Sequence, residues 1–325
     1  MQNFTYEQPS TIDKAVVAIT GNSGKFIAGG TTLVDLMKLG VEQPPALVDV
    51  TTLPLDQVEV LPDGGLRIGA MVRNSDLANH PEVLKSYAVL SQALLSGASP
   101  QLRNMATTGG NLLQRTRCPY FRDLTSGGCN KRNPGTGCSA MEGHHRTMAI
   151  LGTSDHCIAT HPSDMCVAMT ALEAVIHVES TRGKREIAIG EFYKLPGDTP
   201  HIENVLQSGE LITHAELPPA IGSKQVYLKL RDRASYEFAL ASAAVVVRVE
   251  GGHIRSVRVA MGGVGTRPWR SHEAEAALTG KAANAANFQA AAEAALKDAK
   301  PHPENAFKVE LARRCVVRAL KMATA

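Results

Sequence analysis

The sequence has few aromatic residues, little net charge and no long apolar run, and each absence excludes a class of function. Aromatic residues make up 4% of the 325 residues, and the formal net charge is +3. The lysine and arginine residues are dispersed, and no aromatic side chains lie between them. This distribution excludes the basic surface with stacking side chains that is typical of nucleic-acid-binding proteins. No apolar run approaches the roughly 18 residues that a bilayer-spanning helix requires. We therefore expect no nucleic-acid partner and no membrane span.

The N-terminal residues lack the basic and apolar regions of a secretory signal. We therefore expect that the chain does not direct its own export. The apolar fraction of 44% is enough to bury a large core, and the length favours two domains or one large domain with an appendage.

The common nucleotide-binding and catalytic motifs are also missing. The chain has no G-x-x-x-x-G-K-[ST] loop, and the nearest approach to G-x-G-x-x-G, at Gly263 and Gly265, is followed by Arg267-Pro268. No Ser-His-Asp grouping and no paired carboxylates occur at a spacing that would make a catalytic site. These absences favour a chain that provides the environment of a cofactor rather than its own nucleophile or acid.

The cysteines, in contrast, are concentrated in one segment. Five of the six lie between Cys118 and Cys166, unlike the even scatter of a disulfide framework, so the segment predicts a metal or iron-sulfur site. The candidate ligands are Cys118, Cys129, Cys138 and Cys157. The absence of a C-x-x-C pair weakens a zinc site, and four thiolates on a glycine-rich loop are compatible with a [4Fe-4S] cluster. Zinc, disulfides and free thiols remain alternatives.

Other residues near the cysteine segment have simpler interpretations. Cys166 and Cys315 fall at helical spacing among apolar residues, and both are predicted to be buried without a metal. Four histidines are weaker alternative ligands: His144, His145, His156 and His161. Six basic residues could offset a cluster's charge, face an acidic partner or form a solvated loop: Arg115, Arg117, Arg122, Lys131, Arg132 and Arg146.

Two Gly-Gly loops precede predicted helices. The first, Ala28 to Thr32, follows a predicted strand at 25–28 and leads into a predicted helix at 33–39, and the second contains Gly109 and Gly110. Glycines let a backbone approach a ligand closely, and helix-start N–H groups suit a phosphate or pyrophosphate. Two such loops could hold one extended ligand from both sides. A tight turn with a threonine cap is the alternative.

The rest of the chain predicts a mixed α and β structure with a boundary at Pro218-Pro219 and Gly222. Before the boundary, the pattern predicts a helix capped by Ser10, a helix over 82–95, and strands at 46–50, 58–61, 66–68, 172–179, 185–189 and 211–217. After the boundary, it predicts a small antiparallel sheet from strands at 226–229, 242–249 and 254–261, followed by helical stretches at 271–299 and 304–323.

Four segments together resemble the FAD-binding subunit of bacterial molybdenum hydroxylases, the group of xanthine dehydrogenase, aldehyde oxidoreductase and carbon monoxide dehydrogenase. They are AGGTTLVDLMK, TTGGNL, HPSDMCVAMTALEA and YLKLRDRASYEFALASAAVVV. The resemblance implies an α+β fold with a two-lobed FAD-binding domain of vanillyl-alcohol-oxidase type over 1–218. It also implies a C-terminal domain over 223–325, built from a three-stranded antiparallel sheet with helices.

The resemblance also implies the cofactor residues. The FAD pyrophosphate and ribityl chain are expected at Ala28, Gly29, Gly30, Thr31, Thr32, Thr108, Gly109, Gly110 and Asn111. Asp164 is expected to hydrogen-bond the flavin side of FAD, and Lys229 and Arg231 to lie near the isoalloxazine ring. Residues at about 113–160 form an insert relative to most of the family. The insert resembles the cluster-bearing branch, found in periplasmic aldehyde oxidoreductase and 4-hydroxybenzoyl-CoA reductase, which implies a [4Fe-4S] cluster on the four candidate cysteines.

The function implied by the resemblance is electron transfer within a heterotrimer. A large molybdenum-cofactor subunit would oxidise aldehyde to carboxylic acid, a small [2Fe-2S] subunit would pass the electrons on, and FAD in this chain would deliver them to an external acceptor. The implied location is the periplasm, reached by folded export with a signal-bearing partner, and the cytoplasm is the alternative. A self-sufficient flavin oxidase or reductase and a non-catalytic metal-binding scaffold are the alternative functions.

Overall fold

A computed structural model describes residues 1–20, 24–220 and 223–325. The strands are β1 Thr5–Glu7, β2 Lys25–Ile27, β3 Ala46–Asp49, β4 Val58–Val60, β5 Leu66–Gly69, β6 Val175–Ser180, β7 Gly183–Ala188, β8 Leu211–Leu217, β9 Lys224–Leu230, β10 Ala241–Glu250, β11 His253–Gly262 and β12 Trp269–Arg270. The helices are α1 Ile12–Ile19, α2 Leu33–Lys38, α3 Asn74–Asn79, α4 Pro81–Ser86, α5 Ala88–Ser96, α6 Pro100–Arg103, α7 Thr108–Leu112, α8 Pro119–Arg122, α9 Asp164–Ala171, α10 Ile189–Phe192, α11 His272–Leu278, α12 Ala285–Ala295 and α13 Phe307–Thr324.

The N-terminal half contains two separate sheets. The first has three parallel strands in the order β1-β3-β2, and the second has five antiparallel strands in the order β4-β5-β8-β6-β7. Strands of the second sheet alternate between buried and more exposed residues, and their apolar faces share one core with α5 and α9. The two sheets correspond to two lobes, and the loops between them line the cavities described below.

The C-terminal half contains a sheet in the order β12-β11-β10-β9, packed against α11, α12 and α13. We predicted three strands, and the described residues add a fourth, β12, which is only two residues long. A strand of two residues is too short to show the alternation of apolar and polar residues by which strands are predicted. Strand β10, with the sequence ASAAVVVRVE, is apolar on both faces because each face contacts a different core. One core is formed with α5 and α9 and the other with the C-terminal helices.

Three predicted helices differ from the structure. The helix expected over 82–95 is divided into α4 and α5 at Tyr87, whose φ of −130° and ψ of 45° interrupt the helical backbone. The side chain of Tyr87 is buried and donates to the Pro218 carbonyl at 2.9 Å. Thr11, rather than Ser10, caps α1 by accepting from the Lys14 amide. The stretch at 271–299 forms α11 and α12, separated by Gly280 with a φ of +78°.

The predicted insert at about 113–160 has one short helix, α8, and otherwise consists of turns and isolated bridges. It has its own small apolar core, which includes Phe121, Met148 and Ile158 together with Leu36 from α2. Gly222, part of the predicted domain boundary, lies outside the described residues. Among the described helices, none is both long enough and apolar enough to cross a membrane.

Candidate cofactor site

The first Gly-Gly loop connects β2 to α2. Strand β2 pairs in parallel with the buried β3, which fixes the point at which the chain leaves the sheet. Gly30 has a φ of +69°, a conformation that glycine adopts readily. A Cβ atom on Gly29 would lie 1.8 Å from the Met105 carbonyl oxygen, so no side chain fits there. The first loop therefore packs directly on the backbone that leads into the second.

The second Gly-Gly loop forms the start of α7. Thr107 caps this helix by accepting from the Gly110 amide at 3.2 Å, and Gly109 donates to the Ala70 carbonyl at 2.8 Å. The Asn111 side chain accepts from the Ser163 hydroxyl at 2.7 Å, which joins the second loop to the start of α9. Backbone and side-chain hydrogen bonds thus hold this loop in one place.

Two cavities of about 480 Å³ and 540 Å³ lie beside the loops and share Thr31, Thr32 and Gly110 in their walls. Most residues expected at FAD line one or both cavities: Ala28, Gly29, Gly30, Thr31, Thr32, Gly109, Gly110, Asn111, Asp164 and Lys229. The walls do not include Thr108, which is fully buried and bonds to the Val72 carbonyl. Nor do they include Arg231, which donates to the Ser96 carbonyl at 3.0 Å. The shared wall suits one extended ligand occupying both cavities.

The residues present fit FAD on two structural grounds. The glycines leave the backbone accessible where side chains would fill the space, as at Gly29. In addition, the Oδ1 atom of Asn74, which lines the second cavity, is buried and has no hydrogen-bond partner among the described residues. A buried acceptor without a donor is costly, so a ligand that donates a hydrogen bond would stabilise it.

Asp164 lies at the first position of α9, with Ser163 as the helix cap. Its carboxylate forms a salt bridge of 2.9 Å with the Lys229 ammonium, and the two side chains are 8% and 4% exposed. Tyr227 donates its hydroxyl to the same carboxylate at 2.5 Å, and burial, with Asp164 nearby, raises the pKa of Tyr227 well above its ordinary value. Asp164 is therefore held in one orientation at the wall of the second cavity.

Sequence reasoning missed several residues of the second cavity. Tyr227 is one of its supports, and its position two residues before Lys229 on β9 could have indicated that both side chains share a face. The walls also include Arg103, Arg117, Arg233, Tyr236 and Phe238. Tyr236 has a φ of +52°, an uncommon conformation for a tyrosine. Arg233, Tyr236 and Phe238 belong to the same motif as Lys229, whereas Arg103 and Arg117 lie outside the four motifs.

The structure brings the four candidate cysteine ligands together. Cys118, Cys129, Cys138 and Cys157 surround one cavity of about 10 Å³ in the core of the insert. Burial, together with the neighbouring thiols Cys129 and Cys157, raises the pKa of Cys118 to about 12. Burial likewise raises the pKa of Cys157 to about 11 although Lys131 opposes the shift. Buried thiols such as Cys118 and Cys157, which disfavour ionisation in isolation, suit a cation that binds them as thiolates.

The spacing of these thiols bears on the kind of centre they could hold. Among the described residues, no three of the four sulfurs lie within 4.8 Å of one another. A single tetrahedral zinc ion with Zn–S bonds of about 2.3 Å places its sulfurs about 3.8 Å apart. Backbone N–H groups also point at the sulfurs, with the Ala159 amide 3.5 Å from Cys157 Sγ. The arrangement is wider than a zinc site and carries the N–H contacts typical of iron-sulfur clusters.

The remaining cysteines and histidines lie elsewhere. Cys166 is in the main core, 3.0 Å from the Tyr193 hydroxyl, and Cys315 is in the core of the C-terminal half. His161 packs edge-on against Tyr193, and burial lowers its pKa to about 4. His145 is bonded to the backbone of Glu304. The other two histidines are near carboxylates: His144 near Glu304 and His156 near Asp198.

The basic residues of the insert have intramolecular partners, which none of the three sequence interpretations anticipated. Arg115 and Lys131 contact opposite oxygens of Glu203 at 2.7 and 2.8 Å. Burial alone would raise the pKa of Glu203, but Lys131 and Arg115 together lower it below its ordinary value. The other partners are Asp35 for Arg117 and Arg122, Asp232 for Arg146, and backbone carbonyls for Arg132. These contacts hold the insert against the FAD-binding lobes and the C-terminal half.

Comparison with known proteins identifies the family. Residues 2–220 match the family model described as the FAD binding domain in molybdopterin dehydrogenase, and residues 226–323 match the CO dehydrogenase flavoprotein C-terminal domain. The aldehyde oxidoreductase FAD-binding subunit PaoB of Escherichia coli is 53% identical, covering 100% of this chain and 99% of its own length. The glyceraldehyde dehydrogenase medium chain of Sulfolobus acidocaldarius is 28% identical over 86% of this chain and 83% of its own.

The solved structures agree with this result. Carbon monoxide dehydrogenase from Hydrogenophaga pseudoflava matches with a TM-score of 0.78 and 28% identity, covering 99% of this chain and 97% of its own. This match confirms the expected fold, a FAD-binding region followed by a flavoprotein C-terminal domain. The chain therefore belongs to the FAD-binding medium subunits of the molybdenum hydroxylase family.

Proposed function

We propose that this chain is the electron-transfer FAD subunit of a molybdenum-containing aldehyde oxidoreductase, which converts aldehydes to carboxylic acids. The observation that carries the proposal is the 53% identity to the Escherichia coli aldehyde oxidoreductase subunit over the full length of both chains. The aldehyde is oxidised on another subunit. The sequence has no Ser-His-Asp grouping and no paired carboxylates at catalytic spacing, and in the second cavity the Asp164 carboxylate is paired with Lys229.

FAD, when bound, supplies the capacity to accept electrons and to pass them to an external acceptor. The residues of this chain hold and orient it. Gly29 and Gly30 admit it to the first cavity, while Asn111 and Asp164 present polar atoms to it in the second. Lys229 fixes the position of the Asp164 carboxylate by direct pairing at 2.9 Å.

We further propose that Cys118, Cys129, Cys138 and Cys157 hold a [4Fe-4S] cluster. The convergence of the four thiols on one small cavity supports this, as do their spacing and the N–H contact at Cys157. Lys131, which acts on the pKa of Cys157, adds a positive charge near the thiolates. A centre of this kind also accounts for an insert with so little regular secondary structure, because bound metal can replace a hydrophobic core.

The partners that we propose are a large molybdenum-cofactor subunit and a small [2Fe-2S] subunit in a heterotrimer. Relatives that carry the names medium chain and FAD-binding subunit support an assembly of several different chains. The predicted periplasmic location stays a proposal based on the resemblance of the insert to periplasmic aldehyde oxidoreductase. Fractionation of the native host, with aldehyde oxidation assayed in each fraction, tests it, and activity confined to the cytoplasm would contradict it.

The cofactors can be tested on anaerobically purified protein by flavin, iron and sulfide assays together with a visible spectrum. The proposal predicts flavin bands, a broad shoulder near 400 nm and about four iron and four sulfide per chain. Changing any of the four insert cysteines to serine should remove the iron, whereas Cys166→Ser, outside the insert core, should keep it. Flavin without iron would overturn the cluster proposal but leave the FAD subunit intact, and a protein without either cofactor would overturn both.

A further inference from the structure

Three side chains converge on the outer face of the five-stranded sheet, away from the cofactor cavities. His214 and Glu216 are separated by Ala215 on β8 and therefore project from the same face. His177, on the adjacent β6, is directly paired with His214. One potential ligand atom from each of the three residues lies within 4.8 Å of the other two, and the described residues contain no second group of His, Cys, Asp or Glu that meets this limit.

The distances approach those of a metal site. The Nε2 atom of His177 lies 3.4 Å from Glu216 Oε2, and the Nε2 atom of His214 lies 3.5 Å from Glu216 Oε1. The two imidazole rings are stacked, with centroids 4.1 Å apart and planes inclined by 14°. A tetrahedral zinc ion with ligand bonds of about 2.0–2.1 Å separates its ligand atoms by about 3.3 Å. Side-chain rotations that turn both ring planes toward Glu216 would bring the three atoms onto one ion.

The Nε2 atom of His177 is suited to binding a ligand at this position. This atom is buried, and among the described residues it has no hydrogen-bond partner. Glu216 is close to it, but the geometry of that approach is not that of a hydrogen bond. A buried ring nitrogen without a partner costs free energy. A metal ion held between His177 and Glu216 would satisfy this nitrogen.

The surrounding contacts orient the ligand atoms toward a common point. Thr213 donates its hydroxyl to the His177 carbonyl at 3.3 Å, so its Oγ1 atom can accept from Nδ1–H of His214 at 2.9 Å. In that tautomer the lone pair of His214 is on Nε2. Arg67 donates from Nε to Glu216 Oε1 at 2.9 Å, which leaves Oε2 for an ion. Such outer contacts on ligating histidines and carboxylates are typical of metal sites.

We propose that His177, His214 and Glu216 bind a divalent transition-metal ion of the zinc or copper type, with a fourth position open to water. Two imidazoles and a carboxylate are a common ligand set for zinc, and copper binds the same nitrogen ligands more tightly. The three side chains are 16%, 23% and 24% exposed, so an ion can enter from solvent. Since the ligands come from β6 and β8, the ion would join the two strands beside the bulge that follows His177.

The first test measures bound zinc in the cofactor-loaded chain after equilibration with zinc and dialysis against a weak chelator. We expect the wild-type chain to retain one more zinc ion than the His177→Gln and His214→Gln variants. The control His253→Gln changes an exposed histidine of the C-terminal half and should behave as wild type. Zinc bound at cysteines adds the same amount to the zinc content of wild type, the two site variants and the control. Equal zinc content in wild type and both site variants would overturn the proposal.

The second test starts from a measurement on the wild-type chain, which does not depend on the folding of a variant. With less than one equivalent of copper(II), electron paramagnetic resonance of the wild-type chain should show coupling to two imidazole nitrogens. Thr213→Val, which removes only the orienting hydroxyl, should weaken copper binding about tenfold or more. A wild-type spectrum without nitrogen coupling would contradict the site. Nitrogen coupling that persists in the His177→Gln, His214→Gln double variant would assign the copper to other histidines and also contradict it.

Discussion

At the scale of single residues, Gly29 of the first loop is required because backbone atoms occupy the space that a side chain would need. A Cβ on Gly29 would lie 1.8 Å from the Met105 carbonyl oxygen, whereas one on Gly190 would have no atom within 4 Å. The Gly-Gly motif itself was visible in the sequence. The contact with Met105 was not, because it joins segments whose pairing only the fold determines.

The Gly29→Ala variant should therefore lose both stability and FAD. We expect the free energy of unfolding to fall by about 3 kcal/mol, since a clash with backbone cannot be relieved by a rotamer change. Urea denaturation and the flavin content of the purified protein measure the two effects. Gly190→Ala, in the helix α10, is the matched control and should change stability by less than about 1 kcal/mol. Equal flavin content in the two variants would contradict this account of the loop.

The pair Asp164 and Lys229 makes a second prediction at this scale. Lys229→Met leaves the Asp164 carboxylate buried without its cation, which should cost about 3–5 kcal/mol. The double variant Asp164→Asn, Lys229→Met should recover part of that loss because no charge remains. Lys224→Met, on the same strand but exposed, is the control. Urea denaturation of wild type, the single variants Asp164→Asn and Lys229→Met, and the double variant measures the coupling. Additive effects of the two substitutions would contradict direct pairing.

At the scale of elements, the cysteine insert is stabilised from outside by the C-terminal half. Lys308 of α13 is fully buried and donates to the carbonyls of Thr147, Met148 and Gly263 at 3.2, 2.8 and 2.5 Å. Asn305, just before α13, donates to the Met148 carbonyl at 3.3 Å. The end of the insert is thus fixed by a helix that begins about 160 residues later in the chain.

Lys308 gives the insert a predicted pH dependence. Burial, with a smaller contribution from Arg146, lowers the pKa of Lys308 to about 7 from 10.5. Between these values the unfolded chain binds more protons than the folded chain, so this lysine makes stability rise with pH. The stability of wild type relative to Lys308→Met should therefore increase from about pH 7 to about pH 10. Lys297→Met, at an exposed position just after α12, should show no such trend. A constant difference for Lys308→Met would contradict the low pKa.

Helices and strands whose apolar residues recur at a regular spacing were predictable from the sequence, and irregular elements were not. The sequence located β8 at 211–217 as the structure has it, because alternation marks a half-buried strand. It did not predict the break at Tyr87, since α4 and α5 share an apolar pattern that continues across it. The partners of the basic residues in the insert, such as Glu203 for Arg115, were also beyond a sequence reading because they are about ninety positions away.

At the scale of the whole molecule, the FAD family was recognisable from four motifs in a fixed order, and the matches over 2–220 and 226–323 confirm it. Most of the residues that the motifs identified line one or both cavities. They did not include Asn74, which contributes through the packing of α3 around the site, and they did not show that Tyr227 donates to Asp164. The metal site at His177 was equally hidden, because its ligands meet only when β6 pairs with β8.

The central claim is that this chain transfers electrons but does not oxidise the aldehyde itself. The most direct measurement follows flavin absorbance near 450 nm under anaerobic conditions after aldehyde is added to the isolated chain and to the assembled complex. The account predicts rapid bleaching of the flavin in the complex and none in the isolated chain. Bleaching of the isolated chain by aldehyde would contradict it and would identify a self-sufficient flavin enzyme.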